Sequence, residues 1–245
     1  MFTIILYTVS MLVGFLVGIT GVGGILIPPA LILFSGQEVH MAMGTALASF
    51  MPVGLVGTIM YRRLGHIDWR KALPYMAGSL AAWPGAMLNG MLPAGPLVAL
   101  LSCIIIFSGL CALRPPKPGN GSVFWQSGMG FFCIGAVTAL LAGLTGAGGP
   151  VVSIPWMIIV GVPPMVAVGL AMPYQVTTAF FGTIGNVAEG HVDFTILPYI
   201  CLMALAGLLA GVAVARRIPT GMLRKLIGGL CCGLGLFLLL RLILS

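Results

Sequence analysis

The sequence predicts an all-α polytopic membrane protein: two inverted repeats of about five membrane segments each, with a short broken helix after each of two Gly-rich phrases. Three observations carry this. Of 245 residues, 60% are hydrophobic and 6% charged, and the mean hydropathy is +1.16. A soluble domain is about 25% charged, so these charges are too few to cover a water-facing surface. The phrase Gly18-Ile19-Thr20-Gly21-Val22-Gly23-Gly24 returns as Gly143-Leu144-Thr145-Gly146-Ala147-Gly148-Gly149, about half the chain later. The Lys and Arg residues cluster in short loops that share one side of a membrane only if the halves run in opposite directions.

Residues 1–113 form the first repeat. Segment a, Phe2 to Ile19, has no basic residues ahead of its apolar run, so it reads as a transmembrane helix rather than a cleaved leader. Segment b, Ile25 to Ser35, contains Pro28-Pro29 and as a helix would reach about 16 Å. The hydrocarbon core is about 30 Å thick. The preceding glycine phrase is therefore expected to lie non-helical within the membrane, a state tolerated only against protein or a water-filled cavity. Segments c (Val39–Tyr61), d (Ala72–Met91) and e (Leu97–Leu113) follow.

Residues 114–122, rich in Pro and Gly, read as a linker. Residues 123–245 repeat the pattern: a′ at Val123–Leu144, b′ at Val151–Val160, c′ at Met165–Val187, d′ at Thr195–Ala215 and e′ at Met222–Leu244. Both repeats combine into one transport domain. Polar punctuation keeps step between the copies: Gly44 with Gly169, Gly57-Thr58 with Gly182-Thr183, and Gly65-His66-Ile67-Asp68-Trp69 with Gly190-His191-Val192-Asp193-Phe194.

Orientation follows from charge. If b and b′ cross, Arg62, Arg63, Arg70, Lys71, Arg114, Lys117, Arg216, Arg217, Arg224 and Lys225 all share one side, leaving Arg241 opposite. If they do not cross, the bias is poor. The positive-inside rule then places the c–d and d′–e′ loops in the cytoplasm and both termini outside. That placement accounts for the net charge of +7 without a nucleic-acid partner. The six cysteines lie within apolar runs and read as small hydrophobes.

Backbone N–H groups at a glycine-rich bend ahead of a helix, joined by the helix dipole, make an anion site. In the inverted arrangement the N-termini of b and b′ approach the midplane from opposite sides, as expected of an anion-carrying transporter. The backbone candidates are Gly21, Gly23, Gly24, Gly146, Gly148 and Gly149, against the alternative that these glycines serve only tight bends or packing. Thr20 and Thr145 offer hydroxyls to an oxyanion or cap a helix, and Pro150 suits a first helical turn. Thr45 and Ser49 on c, with Gln175, Thr177 and Thr178 on c′, are polar in apolar helices; they contact substrate or bond to their own backbone. Asn186 is a substrate contact or an interfacial cap. His66, Asp68, His191 and Asp193 form either a capping network or a proton-coupling and gating set.

No metal-ligand spacing, dinucleotide fingerprint or nucleophile–base pair is present, so no cofactor, metal or enzymatic activity is expected. The two competing readings are a carrier working by alternating access and an anion channel using the same Gly-lined site.

The paired glycine phrases, the stretch Tyr61-Arg62-Arg63-Leu64-Gly65-His66-Ile67-Asp68-Trp69 and its echo at 190–194 resemble the sulfite exporter TauE/SafE family over nearly the whole chain. The resemblance implies a multi-pass permease of the bacterial inner membrane for sulfur-containing anions such as sulfite, sulfoacetate, thiosulfate or arylsulfonates. It implies about eight conventional helices. Protons are a candidate coupling ion. The chain departs from the family in carrying His66 and His191 where Asn is frequent, and Gly169-Leu170-Ala171 where Gly-Thr-Ser is frequent.

Overall fold

The fold is that of a computed structural model, which describes residues 2–20, 24–114, 124–125, 127–214 and 220–244. Segment a is α1 (Phe2–Thr20). A 3-10 turn, Gly24–Leu26, leads into α2 (Ile27–Phe34), and α3 spans Val39–Arg63. Then come α4 (Trp69–Gly78), a 3-10 turn over Ser79–Ala81, α5 (Ala82–Met91) and α6 (Ala94–Leu113). The second half comprises α7 (Gly128–Thr145), α8 (Pro150–Ile159), α9 (Pro164–Ala188), α10 (Leu197–Val214) and α11 (Thr220–Leu244). All described elements are helical, and α3, α6, α7 and α9 are each long and apolar enough to cross a membrane. Except for Arg114, the proposed linker lies outside the described residues.

The structure divides segment d into two helices. Pro84 has no N–H for the carbonyl of Leu80, and the tighter 3-10 turn spans that missing bond. The repeated Gly-His phrase works as a helix stop with a capping residue after it. Gly65 (φ +72°) and Gly190 (φ +73°) take the left-handed conformation that ends α3 and α9. The next amides reach back, His66 N–H to the Tyr61 carbonyl at 3.2 Å and His191 N–H to the Asn186 carbonyl at 2.7 Å. Three residues beyond each glycine an aspartate side chain accepts from the backbone ahead of it. Asp68 caps α4 by accepting from the Arg70 amide at 3.1 Å, and Asp193 accepts from the Thr195 amide at 2.8 Å in the turn before α10.

Close approaches at small residues reveal the directions of the packed helices. Gly44 lies against the His191 carbonyl, Gly54 against Met172 and Val176, and Gly169 against the His66 carbonyl, so α3 and α9 are antiparallel. Gly109 meets Gly228 and Cys232 while Gly235 meets Ser102 and Ile106, so α6 and α11 are also antiparallel. In contrast, α1 runs parallel to α10, with Gly14 at Ala204 and Gly18 at Leu208. The α4–α5 pair runs parallel to α7, with Gly78 at Phe132 and Gly85 at Leu140. Helices that are equivalent by sequence therefore run oppositely, and each half's first helix lies along the other half's d segment. This packing is consistent with the expected inverted arrangement; a parallel duplication would align α3 with α9.

Within lipid there is no water to drive helices together, so such backbone approaches carry much of the association. A Cβ at Gly14 would fall 1.9 Å from the Ala204 carbonyl oxygen, whereas one at Gly229 would meet nothing within 4 Å. Gly14→Ala is expected to destabilise the protein by about 1–3 kcal/mol and lower its melting temperature in detergent. Gly229→Ala, measured in parallel, should leave the melting temperature unchanged.

Candidate functional site

The two longest helices of the packed centre, α3 and α9, extend about 37 Å each. Gly24 and Gly148 reach α3, and Gly149 reaches α9, near their middles. Helix α7 ends at Thr145, and Gly146 (φ +65°) caps it by donating its N–H to the Ala142 carbonyl at 2.8 Å. Gly148 is also left-handed, at φ +74°, and Gly149 leads into α8 with Pro150 in the first turn. This stretch of backbone is threaded tightly between neighbours. A Cβ at Gly146 would lie 2.2 Å from the Met43 carbonyl oxygen, and one at Gly149 would lie 2.3 Å from the Tyr174 ring.

From the other half, the 3-10 turn before α2 begins at Gly24. A Cβ there would fall 2.6 Å from the tip of the Phe50 ring, and one at Gly148 would lie 3.5 Å from the same ring. The Phe50 ring thus sits between both glycine phrases. Beside it is a small cavity of about 10 Å³, lined by Gly24, Phe50, Ala147, Gly148, Pro150 and Gln175. Such a space holds roughly one water molecule. The first N–H groups of α8 have no acceptor within their own helix, and the helix dipole makes that end positive. Gln175, 4% exposed, lines the same cavity, and its side chain makes no hydrogen bond to the described residues.

Buried tyrosines brace the wall behind the glycines. The Tyr75 and Tyr174 rings stack with centroids 3.8 Å apart. Tyr174 donates to the Gly135 carbonyl at 2.8 Å and lies 2.7 Å from the Thr138 hydroxyl; Tyr75 donates to Ser153 on α8. Sequence reasoning missed Phe50, Tyr75 and Tyr174. The signal was there: at the repeat spacing, Phe50 is the counterpart of Gln175, and Ser49 that of Tyr174.

The remaining candidates fall into three places. Near the break, Thr145 donates to the Leu141 carbonyl at 2.7 Å and accepts from the Ala147 amide at 3.4 Å. Ser49 donates to the Ala46 carbonyl and Thr177 to the Tyr174 carbonyl, each along its own helix. Thr178 is buried one turn beyond Tyr174. Gly21, Gly23 and the side chain of Thr20 lie outside the described residues.

At one end of the α3–α9 pair, His66 and Asp68 close the c–d loop, with Lys71 3.6 Å from the Asp68 carboxylate. At the other end, Asp193 donates its amide to Thr45 at 2.9 Å and accepts from Gln37 at 2.8 Å. There His191 stacks on His40 with ring centroids 5.2 Å apart. His40 pairs with Asn89 at 3.1 Å, and Asn89 donates to the Leu144 carbonyl at 2.6 Å, next to the second glycine phrase. Asn186 donates to the Gly182 carbonyl at 2.9 Å. Burial lowers the His191 pKa and the neighbouring His40 lowers it further, while Glu189 and Glu38 oppose the shift. His40 is a further candidate that the sequence pattern did not single out, because its counterpart at the repeat spacing is Met165.

The family described as sulfite exporter TauE/SafE matches residues 3–238. A probable membrane transporter protein of Bacillus subtilis (strain 168) is 28% identical over 230 residues, covering 89% of this chain and 93% of its own length. One from Xylella fastidiosa (strain 9a5c) is 24% identical over 240 residues, covering 94% and 92%. One from Methanocaldococcus jannaschii is 24% identical over 258 residues, covering 97% of both chains.

A histidine whose folded pKa is depressed costs stability when it must be protonated. Above 6.5 it is neutral folded or unfolded and costs nothing; as pH falls from 6.5 through the lowered folded value, the unfolded chain binds the proton more tightly. Melting temperature is expected to drop across that acidic window, and His191→Gln should flatten the drop. The check is a thermal-unfolding series against pH for both proteins.

Proposed function

Because the chain belongs to the sulfite exporter TauE/SafE family of multi-pass membrane transporters, we propose that it is a secondary carrier for a small sulfur-containing anion such as sulfite, thiosulfate or an organosulfonate. The observation that supports this most is the meeting of Gly24 with Gly148 and the start of α8 at one cavity, midway along α3 and α9. Helix ends and unpaired amides at mid-depth are what an anion needs in a medium of low dielectric constant.

The carrier reading is favoured over an open channel because the space beside Phe50 has room for only about one water. Anion entry requires the Phe50 ring to leave its place between the glycine phrases. In an alternating-access cycle the inverted halves exchange conformations, so the site opens first to one side and then to the other. The basic loops, assigned to the cytoplasmic face, attract the anion to that mouth. His191 and Asp193 at the opposite mouth are the residues where proton coupling would act.

Gly148→Ala makes only ordinary contact with Phe50, but at φ +74° its side chain strains the backbone and turns the amides that face the cavity, so a melting curve is taken beside the affinity. Its anion affinity is expected to fall at least about ten-fold if that shift costs one charge-assisted hydrogen bond, which contributes about 1.5–3 kcal/mol. Calorimetric titration of the purified protein checks this; unchanged affinity would assign the glycines to packing alone. Orientation is tested separately with cysteines at the Gly65 and Thr220 positions. Both should resist an impermeant thiol reagent added from outside, and efficient labelling of just one would defeat the inverted topology.

A further inference from the structure

We infer that the site selects singly charged oxyanions, of the R–SO3⁻ or hydrogensulfite class, over dianions such as sulfate, which removes thiosulfate, itself a dianion, from the anions proposed above. This rests on the anion-carrier reading above and adds the charge state of the cargo. The chain has no Lys or Arg before Arg62, and none from Pro118 to Ala215. Those stretches contain both glycine phrases, all of α2, α7, α8 and α9, and α3 as far as Tyr61. No Lys or Arg is among the described residues that line the cavity. Along α3, His40 lies about 15 Å and Arg62 about 18 Å from Phe50.

What the cavity does offer is neutral: amides at the start of α8, the dipole of that helix, and the side chain of Gln175. Gln175 is 4% exposed and lines the cavity, and no described residue bonds to its amide. Its NH2 group supplies hydrogen-bond donors for a ligand oxygen. The attraction of fixed dipoles for an ion grows in proportion to its charge. The cost of removing that ion from water grows as the square of the charge, about fourfold for a dianion. Without a cation to close the gap, the second charge loses more than it gains. The Phe50 ring adds a nonpolar wall, which suits the organic group or the protonated face of a monoanion better than a fully charged surface.

The test uses the full chain in nanodiscs, titrated with methanesulfonate, sulfate and sulfite from mildly acidic to mildly alkaline pH. Methanesulfonate stays singly charged throughout, sulfate stays doubly charged, and sulfite changes from one to the other near neutrality. Methanesulfonate should bind with little pH dependence and sulfate at least 100-fold more weakly. Sulfite affinity should fall as pH rises, approaching ten-fold per unit once the dianion dominates. Sulfate binding as tight as methanesulfonate, or sulfite affinity that rises with pH, would overturn the inference while leaving the anion carrier intact. Failure of all three anions to bind would overturn the carrier reading itself, and this inference with it. Gln175→Lys places a cation at the cavity and should bring sulfate within ten-fold of methanesulfonate. A folded variant with undiminished discrimination would count against the proposal, and the wild-type profile decides the matter if the variant does not fold.

Discussion

A bilayer interior supplies no water to a backbone amide, so a chain that interrupts its helices at mid-depth must bury the interruption in protein. The packing around the α3–α9 crossing meets that requirement. Met43 and Tyr174 leave the second glycine phrase no room for side chains at Gly146 and Gly149, and Phe50 fills the space before Gly24. The tyrosine stack behind them is tied to α7 and α8 through Thr138, Gly135 and Ser153. The same constraint explains the parallel pairing of α1 with α10 and of α4–α5 with α7. Each broken stretch is flanked by helices from both halves, so neither half can shield its own break alone.

Much of this was legible in the chain itself. The second break, at Gly146 and Gly148, followed from glycine spacing, because glycine is required where the backbone turns left-handed or approaches another backbone closely, whereas the split of segment d at Pro84 was not anticipated. The Gly-His-x-Asp phrases read as helix-end elements, and the structure shows the stop at Gly65 and Gly190 and the side-chain acceptors at Asp68 and Asp193. What was not legible depended on contacts between halves. The stacking of His40 on His191 joins positions far apart in sequence, and no periodicity within one helix announces it. Phe50 looked like one more apolar residue in an apolar helix. Only the crossing of α3 over both glycine phrases gives its ring a distinct position. The hydroxyls of Ser49 and Thr177 looked like candidate ligands, yet they bond along their own helices.

The two halves repeat in sequence and differ in the residues that meet at the centre. Phe50 and Gln175 occupy equivalent places in the repeat, one nonpolar and one an amide, and both line the cavity. The two mouths differ as well. One carries the basic c–d loop with an Asp68–Lys71 pair, and the other carries the histidine stack with Glu38, Glu189 and Asp193 nearby. In the proposed carrier, unequal side chains at equivalent places would let the two exits be tuned separately. Such a division suits a carrier that must release its cargo preferentially on one side.

The central claim is that the anion is held between the two glycine phrases at the middle of the membrane. The most direct measurement is an anomalous-scattering crystal structure with a selenium-containing analogue of the anion, which marks the ligand by its own atom. The account predicts one selenium peak beside Phe50, with oxygens in hydrogen-bonding reach of the Gly148–Gly149 amides and of Gln175. A peak confined to the basic loops, with the central cavity still closed around Phe50, would contradict it.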